Sequence, residues 1–482
     1  MPAIYARTGL TVLVLLVVAG CGGRGTSGAW NLPASDVGGS RAATGSTITA
    51  ANVAKLAVRW RFRFRSRPSF SGIFASTPVA DSDTVYVQDL RSNVFALDRV
   101  TGTLRWAHHF DARNDGPNGL AVDDGRVYGA TDESAFALAA ANGRELWRRH
   151  LTSATEQFVD VAPVPWHGAL FTGTVGYPPD GRGAIYGLDA ATGRVRWRFA
   201  TIARPWRHPQ LAGGGGIWNP VSVDDEGRLY AGTANPSPWG GSRAYPNGGA
   251  FPGPVPYSDS LVVLDPGSGR LLWHDQVTPH DVRDYDFEAT PIVAGAQVIG
   301  AGKSGRVIAW NRTSRRRVWS TAVGKHLHDT GPLPRRLASI CPGILGGVES
   351  PMAYAHGRVF VPVVNLCSRG SATTRQHVIE LDPLHGTGEI LALSAATGRV
   401  LWRRRLAEPD FGCATVANDV VFTSTYDGAV FALAAATGKV LWRARAPARI
   451  NACTAVAGDT LLVGAGVGRR AQLVAFSLPR AR

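Results

Sequence analysis

Pairs of apolar segments joined by a polar turn recur along the chain. Each pair begins with an apolar run ending in Ala-Leu-Asp or a variant, passes through a turn that commonly contains Thr-Gly, and ends in a segment carrying Trp. Glycine supplies the positive φ that a tight hairpin turn needs, and the flanking runs are rich in β-forming residues. The pattern predicts complete β-hairpins at Phe95 to Trp106, Phe136 to Trp147, Tyr186 to Trp197, Val263 to Trp273, Ile308 to Trp319, Leu391 to Trp402 and Phe431 to Trp442.

The two ends of the chain carry complementary halves of an eighth hairpin. Residues 58–60 contain a Trp strand without its apolar partner, and residues 473–478 contain the partner without a Trp strand. Pairing of these halves would close a ring and remove its open edge. Two further strands precede each hairpin, so the repeat of roughly 40 to 50 residues predicts an all-β fold, an eight-bladed β-propeller of four-stranded antiparallel blades. An open β-solenoid is the alternative, but it does not explain the split unit.

The N-terminal residues are predicted to direct export. A short apolar stretch ends in Val18-Ala19-Gly20-Cys21, which resembles a bacterial lipobox, and it is too short to span a bilayer. We therefore expect a lipoprotein signal peptide at 1–21, with lipid on Cys21, then a tether and N-terminal segment at 22–50 and a single propeller at 51–482. The mature protein would be an exported lipoprotein, held only by its lipid and facing the periplasm or the cell exterior. An ordinary signal peptide with an incidental Cys is the alternative.

Composition indicates a large globular protein with a basic surface. The chain has 482 residues, of which 45% are hydrophobic and 18% charged, and its 51 Lys and Arg against 36 Asp and Glu give a net charge of +15. Nucleic acid is the obvious partner for such a charge, but the basic residues are spread along the chain and no nucleic-acid module is recognisable. We therefore expect no nucleic-acid partner. A generally basic surface, or one that lies near anionic envelope polymers, accounts for the charge.

Four cysteines remain after Cys21 is assigned to lipid, and three pairings of them are open. Cys413 and Cys453 occupy the same position in successive units, 40 residues apart, so equivalent strands near the axis would bring them within disulfide range. We therefore predict one disulfide between Cys413 and Cys453 and a second between Cys341 and Cys367. Four free, buried thiols are the alternative.

The repeat resembles a known family. Its Ala-x-Asp-x-x-Thr-Gly-x-x-x-Trp pattern is similar to the tryptophan-docking motif of quinoprotein dehydrogenases, which bind pyrroloquinoline quinone (PQQ) on the axis of an eight-bladed propeller. Residues 30–41 and 52–56 are similar to the opening segment of that family. The repeat is also shared by non-catalytic assembly-factor propellers of the outer membrane, so it does not by itself indicate chemistry.

Two inserted segments carry more specific motifs. Residues 232–239 read Gly-Thr-Ala-Asn-Pro-Ser-Pro-Trp, close to the family's Gly-Thr-Gly-Asn-Pro-x-Pro-Trp, which implies that Asn235 offers its carbonyl oxygen to a metal beside PQQ. Residues 213–218 match the segment whose Trp forms the floor under the quinone, which implies that Trp218 binds the cofactor. One more core Trp is the alternative for Trp218.

A third segment, residues 278–286, resembles the one that carries the catalytic Asp, which falls on Asp284. A strand there would place Asp284 and Asp286 on one face, two residues apart. Relatives that use lanthanides have a second Asp at this position, so Asp286 is implied as a metal ligand together with Asp284 and Asn235. A solvated Asp at a strand end is the alternative for Asp286.

Lys303, in residues 301–305, matches the family's Arg or Lys beside the quinone oxygens and is implied in both cofactor binding and catalysis. The resemblance implies a mechanism in which Asp284 takes the hydroxyl proton of an alcohol while a Ca²⁺ or lanthanide ion and Lys303 polarise the quinone. Hydride then moves to the quinone C5 carbon. No Cys-x-x-Cys-His haem motif occurs in the sequence, so we expect electrons to pass to a separate acceptor.

Other positions depart from the family. Pro178 stands where a glutamate metal ligand is usual, Asn118 replaces an Arg, and Glu349 replaces an Asn that binds a PQQ carboxylate. Glu349 would repel such an anion. Two functions therefore stay open: a quinoprotein that oxidises small or polymeric alcohols, and a non-catalytic propeller lipoprotein that binds envelope proteins or ligands.

Overall fold

Short antiparallel β-strands form nearly all of the regular structure in this computed structural model. The structure describes residues 28–69, 71–114, 116–178, 180–202, 211–239, 245, 253–372 and 385–479. The strands form eight four-stranded blades, which confirms the predicted propeller. None of the helices within the described residues has the length and apolarity to span a bilayer.

The blades are numbered in chain order, and their strands run from the innermost to the outermost. Blades 1 to 4 consist of Val79–Ala80, Thr84–Gln88, Val94–Asp98 and Leu104–His108; Ala121–Asp123, Arg126–Ala130, Ser134–Ala139 and Glu145–His150; Val164–Trp166, Ala169–Gly176, Ala184–Asp189 and Val195–Ala200; and Ser222–Val223, Leu229–Gly232, Ser260–Leu264 and Leu271–Gln276. Blades 5 to 8 consist of Ile292–Ala294, Gln297–Gly300, Arg306–Asn311 and Arg317–Ala322; Ala353–Ala355, Arg358–Asn365, Thr387–Ser394 and Val400–Leu406; Thr415–Ala417, Val420–Ser424, Ala429–Ala434 and Val440–Arg445; and Ala455–Ala457, Thr460–Ala465, Gln472–Ser477 and Ala57–Arg63.

Shorter elements lie outside these blades. Gly213–Gly214 pairs with Pro236–Ser237, and Ala338–Ile340 pairs with Ser368–Gly370. The remaining elements among the described residues are a 3-10 helix at Val53–Lys55 and short strands at Ala42–Ala43 and Gln157–Phe158.

Blade 8 is built from both ends of the chain. Ala57–Arg63 pairs antiparallel with Gln472–Ser477, with Ala57 opposite Ser477 and Arg63 opposite Gln472. The two complementary half-motifs therefore meet in one sheet, as their sequences predict. The middle strands of each blade are buried almost throughout, whereas the outer strands alternate between buried and exposed residues.

The repeated Trp side chains join neighbouring blades. The indole Nε1 of Trp147 donates a hydrogen bond of 3.1 Å to the carbonyl of Ala190 in the next blade, and its ring lies against Gly193. Gly193 has φ +69°, and a Cβ there would overlap the indole, so two constraints select glycine. The same bond to a carbonyl of the following blade is made by Trp60, Trp106, Trp197, Trp319, Trp402 and Trp442.

The junction of blades 4 and 5 departs from this arrangement. The Nε1 of Trp273 has no hydrogen-bond partner among the described residues. In the turn of blade 5 the carbonyl of Arg312 accepts instead from Arg228, at 3.4 Å, and Arg315 replaces the glycine while keeping a left-handed φ of +62°. Arg312 bridges to the buried Asp224 at 2.8 Å, so an ion-pair network replaces the indole bond.

Replacing Arg315 by glycine is expected to stabilise the protein by about 1 kcal/mol, because a side chain in the left-handed region costs roughly that much. Arg316 follows it with an ordinary φ, so Arg316→Gly is the matched control and should destabilise. Urea unfolding measures both effects. Equal destabilisation by the two changes would contradict the assignment of strain to Arg315.

Both predicted disulfides are confirmed. Cys413 and Cys453 are bonded with their Cα atoms 5.0 Å apart, and Cys341 and Cys367 with theirs 4.5 Å apart. The first joins the segments that precede the inner strands of blades 7 and 8. The second closes a 26-residue stretch of the insertion before and within blade 6.

The N-terminal segment from residue 30 to residue 47 packs along the inner strands. Its backbone hydrogen bonds reach Ala80 in blade 1, Val223 in blade 4, Val293 in blade 5, Val416 in blade 7 and Gly458 in blade 8. This part of the chain is therefore integrated with the propeller. Cys21 lies outside the described residues, so its lipidation stays a prediction, as do the predicted boundaries at residues 21 and 50.

A buried carboxyl group in the connection that leads into blade 7 gives the stability of the protein a pH dependence. Asp410 is 0% exposed, accepts a 2.6 Å hydrogen bond from Thr423, and burial raises its pKa to about 8. The folded state therefore keeps a proton that the unfolded state releases near pH 4, so stability is lost as the pH rises from about 4 to 8. We expect Asp410→Asn to raise stability by about 4 kcal/mol more at pH 8.5 than at pH 5. Thermal unfolding at both values tests this, and a pH-independent difference would contradict it.

Candidate functional site

Blades 4 and 5 position a cluster of polar side chains. Asn235 follows the second strand of blade 4, and Lys303 lies in the turn between the second and third strands of blade 5. Asp284 and Asp286 belong to the connection that runs from the outer strand of blade 4 to the inner strand of blade 5. Three separate stretches of chain therefore supply these four residues.

The four residues form one contact network. The Nδ2 of Asn235 donates to Asp284 Oδ1 at 2.7 Å, and its backbone N–H donates to Asp286 Oδ1 at 2.7 Å. The ammonium of Lys303 lies 3.1 Å from Asp284 Oδ2 and 2.7 Å from Asp286 Oδ2. Side-chain exposures of 10% for Lys303, 16% for Asp284 and 3% for Asp286 place the ion pairs in a poorly hydrated environment, where charge interactions are strong.

The prediction of a strand at Asp284 and Asp286 is wrong. Asp284 has φ +66°, and no strand is assigned from residue 277 to residue 291. The Asp281 carboxylate accepts backbone hydrogen bonds from Arg283 at 2.8 Å and Tyr285 at 2.6 Å, which turns the chain. The two predicted carboxylates therefore share Lys303 because of this turn, not because of strand alternation.

Carboxyl groups outnumber cations in this region. Asp259 is 0% exposed, and neither of its carboxylate oxygens has a hydrogen-bond partner among the described residues. Burial is the main cause that raises the pKa of Asp259 well above its ordinary value, and neighbouring carboxylates raise it further. Burial also raises the pKa of Asp284 to about 7, with Lys303 opposing the shift and Asp286 and Asp281 adding to it.

Lys303 is the ammonium group at the centre of this charge. Burial works to lower its pKa, but Asp284, Asp286, Glu349 and Glu288 together hold the pKa well above its ordinary value. Lys303 is therefore charged at neutral pH. It neutralises only part of the surrounding negative charge.

Two further carboxyl groups meet beside Lys303. The side chains of Glu288 and Glu349 are hydrogen-bonded to each other, and burial raises the pKa of both. One oxygen of each has no hydrogen-bond partner among the described residues. A hydrogen bond between two carboxyl groups requires that one of them holds a proton, and such a protonated pair repels an anion less than the sequence predicts for Glu349.

Trp218 follows closely in sequence a strand that pairs with the segment of Asn235. Gly213–Gly214 pairs with Pro236–Ser237, and Gly215 donates a 2.7 Å backbone hydrogen bond to Asn235. Trp218 is partly buried, and the two residues that follow it line a cavity on the propeller axis. The backbone pairing thus brings the segment that leads to Trp218 next to Asn235, and the role of the Trp218 ring as an aromatic floor stays a prediction.

Several members of the site are not predicted from the sequence. They are Asp259, Asp281 and Glu288, together with Tyr177, whose side chain is 46% exposed. Partial burial of the Tyr177 phenol raises its pKa, the charge of Asp286 adds to the rise, and the charge of Lys303 opposes it. The repeated Asp in residues 281–286 was an available signal for Asp281. Asp259 lies in Tyr-Ser-Asp-Ser, where no local pattern indicates a buried carboxylate.

The donor chemistry of the network fits a hard metal ion. Asp284 and Asp286 provide carboxylate oxygens and Asn235 an amide oxygen, which Ca²⁺ and lanthanides prefer. Among the described residues, no three His, Cys, Asp or Glu side chains are grouped to hold a metal by themselves. A metal here would use two carboxylates and one amide from the chain, and it would complete its shell with a bound ligand.

PQQ, an anionic quinone, fits the same place under one condition on the neighbouring carboxyl groups. Lys303 supplies positive charge and Trp218 an aromatic surface, whereas Glu288 and Glu349 are compatible with an anion only when they hold a proton. Asn118, the replacement for a family Arg, donates its amide N–H to the carbonyl of Asp89 at 2.9 Å. Its amide nitrogen is thus held by backbone of blade 1.

Family models match most of the chain. Residues 42–236 and 349–478 match the model described as outer membrane protein assembly factor BamB, and residues 168–314 match that of the glucose/ethanol/alcohol dehydrogenase β-propeller domain. Quinohemoprotein alcohol dehydrogenase of Comamonas testosteroni is 28% identical over 79% of this chain and 64% of its own length. Quinohemoprotein alcohol dehydrogenase ADH IIB of Pseudomonas putida is 30% identical over 54% of this chain and 41% of its own length. The chain thus spans less than two thirds of these relatives.

Solved structures share the fold. The Comamonas testosteroni enzyme superposes with a TM-score of 0.81 at 23% identity, covering 95% of this chain and 82% of that one. A europium-containing methanol dehydrogenase gives 0.81 at 19% identity, covering 94% and 98%. BamB from Moraxella catarrhalis gives 0.57 at 15% identity, covering 88% and 99%.

Proposed function

The chain belongs to the family of β-propellers with PQQ-like repeats, and from this membership and the geometry of its polar site we propose that it is a PQQ- and metal-dependent alcohol dehydrogenase. One observation carries the proposal. Asn235, Asp284, Asp286 and Lys303, which separate motifs single out, lie in one contact network between blades 4 and 5.

In this proposal each side chain has a definite task. Asp284 accepts the hydroxyl proton of the alcohol, and its backbone turn together with the 2.7 Å bond from Asn235 fixes its orientation. Lys303 holds Asp284 and Asp286 in place and keeps positive charge beside them. When bound, PQQ supplies the hydride-accepting carbonyl. The low exposure of the network limits water around the reacting groups.

The metal would be held by Asn235, Asp284 and Asp286, with Ca²⁺ or a lanthanide as the ion that suits these oxygens. Two buried carboxylates share the single ammonium of Lys303, which supports a polyvalent cation at this position. The substrate is a small or polymeric alcohol, and a separate acceptor takes the electrons. Export and attachment through a lipid on Cys21 complete the proposal for its location.

A second function is a non-catalytic propeller lipoprotein that binds envelope proteins or ligands. Three departures from the quinoprotein family favour it, because Pro178, Asn118 and Glu349 replace residues that bind the metal or the cofactor there. The discriminating property is specific, metal-dependent PQQ binding, which a pure scaffold does not need.

Titration of the metal-free protein with PQQ, in the presence of Ca²⁺ or La³⁺, tests the proposal directly. Saturable quenching of tryptophan fluorescence, dependent on the metal, is the expected result. Failure of PQQ to bind with either ion would overturn the proposed function.

Glu349→Asn is expected to strengthen PQQ binding on the order of tenfold, because it removes a carboxyl group next to the site of an anionic ligand. Glu133→Asn, which removes an exposed carboxylate in blade 2, is the matched control. The same titration measures both. Unchanged affinity in Glu349→Asn would show that Glu349 does not face the cofactor.

A further inference from the structure

A basic cleft lies where the outer strand of blade 8 leads into blade 1. The cleft has a volume of about 370 Å³ and is lined by Arg65, Ser66, Arg67, Arg91, Asn93 and Asp111. Residues 65–67 follow the outer strand of blade 8, and residues 91–93 belong to the turn between the second and third strands of blade 1. In the ring order this place is opposite blades 4 and 5, so the cleft is separate from the polar site described above.

A row of unneutralised arginines leads to the cleft. From Arg59 to Arg67 every second residue is Arg, and the aromatic residues between them point into the protein. Arg59 pairs with Asp459 at 3.1 Å. Within the described residues, no Asp or Glu lies within ion-pair distance of the other four, Arg61, Arg63, Arg65 and Arg67. Arg61 and Arg63 are alternate residues of a strand, about 6.6 to 6.8 Å apart, and Arg65 and Arg67 continue beyond its end, so the row presents closely spaced positive charge.

The acidic groups near the cleft are already engaged. Asp89 accepts hydrogen bonds from the Ser66 hydroxyl, from the backbone of Arg91 at 2.8 Å and from the backbone of Asn93 at 2.9 Å. The Arg91 guanidinium donates to the backbone carbonyl of Asp111, and the Asp111 carboxylate accepts a 3.4 Å hydrogen bond from the Asn93 amide. The three guanidinium groups of the cleft therefore keep their positive charge.

Edge protection explains part of this pattern but not the cleft. The outer strand of each blade has an unpaired edge, and charged side chains there discourage pairing with other chains. That role does not require Arg91, which comes from a turn of another blade and joins Arg65 and Arg67 around one cavity. Convergence of guanidinium groups on a concave surface is instead the chemistry of phosphate recognition.

We propose that this cleft binds a phosphate group, carried either by an anionic lipid headgroup or by a soluble phosphorylated molecule. The guanidinium groups of Arg65, Arg67 and Arg91 donate to its oxygens, and the Ser66 hydroxyl and the Asn93 amide border it. The row from Arg61 to Arg63 extends the positive surface for further negative charge of the same ligand. This site is independent of the proposed dehydrogenase activity.

The test compares two triple variants of the full-length protein. R65Q/R67Q/R91Q removes the cleft charges, and R404Q/R405Q/R443Q removes three charges from the outer strands of blades 6 and 7 as the matched control. Calorimetry with inorganic diphosphate tests a soluble ligand, and sedimentation with phosphatidylglycerol vesicles, against phosphatidylcholine vesicles, tests a headgroup. We expect the cleft variant to lose affinity on the order of tenfold or more, and the control less than about twofold.

The possible results distinguish a soluble ligand, a lipid headgroup and the absence of a site. Cleft-dependent binding of diphosphate alone indicates a soluble ligand, and cleft-dependent binding of the vesicles indicates a headgroup. Equal losses in the two variants would reduce the effect to general charge and overturn the site. Absence of binding to both probes would overturn it as well.

Discussion

Asp284→Asn is expected to lower alcohol turnover about 100-fold or more, as loss of a general base does, while PQQ affinity at saturating metal changes little. The substitution preserves shape, and its amide oxygen can still accept the 2.7 Å bond from Asn235. It removes the basic oxygen that Lys303 now holds at 3.1 Å. Steady-state dye reduction and PQQ titration on the same preparation measure the two quantities.

Asp180→Asn is the control for this result, because Asp180 is an exposed carboxylate that pairs with Arg182 at 3.7 Å. Its turnover should match that of the unaltered protein. Full activity in Asp284→Asn would remove Asp284 from the mechanism. Equal losses in both variants would indicate a general effect of lost negative charge.

Lys303→Met is expected to destabilise the protein by about 3 to 5 kcal/mol, because it removes the partner of two buried carboxylates. Ca²⁺ should restore part of that stability, since a cation that binds only the folded state shifts the folding equilibrium. Thermal unfolding with Ca²⁺ and with a chelator measures both effects. Asp259 and Glu288 add further buried carboxyl groups, which strengthens the expectation.

Lys439→Met, an exposed lysine in the turn of blade 7, provides the comparison. It should change stability by less than about 0.5 kcal/mol and show no response to Ca²⁺. A Lys303→Met protein that is as stable as the original, and whose stability does not respond to Ca²⁺, would contradict a site in which buried carboxylates need a cation. It would also weaken the case for a metal.

The blade architecture was predictable because its determinants are local and repeated. Each docking Trp and each turn Gly leaves the same mark in the sequence, and Trp147 with Gly193 shows why both are needed. The junction at Trp273 could not be anticipated in the same way. Its bonding depends on Arg228 and Arg312, which are distant in the sequence and meet only in the folded protein.

The site was predictable only where a motif marks it. Asn235, Asp284 and Lys303 are placed by resemblance, but the turn at Asp284 depends on Asp281, whose role is visible only from its backbone hydrogen bonds. Asp259 is a similar case, because its importance comes from complete burial near other carboxylates. Burial depends on the packing of neighbouring blades, which a single sequence segment does not record.

In the proposed reaction Asp284 accepts the hydroxyl proton of an alcohol, and the hydride would pass to bound PQQ. Its most direct test is anaerobic single turnover: protein loaded with PQQ and Ca²⁺, or with PQQ and La³⁺, is mixed with a simple alcohol while the quinone absorbance is followed. We expect stoichiometric, alcohol-dependent reduction of the bound quinone, and we expect this reduction to be about 100-fold or more slower in Asp284→Asn. Bound quinone that no alcohol reduces, or reduction that is unchanged in Asp284→Asn, would contradict it.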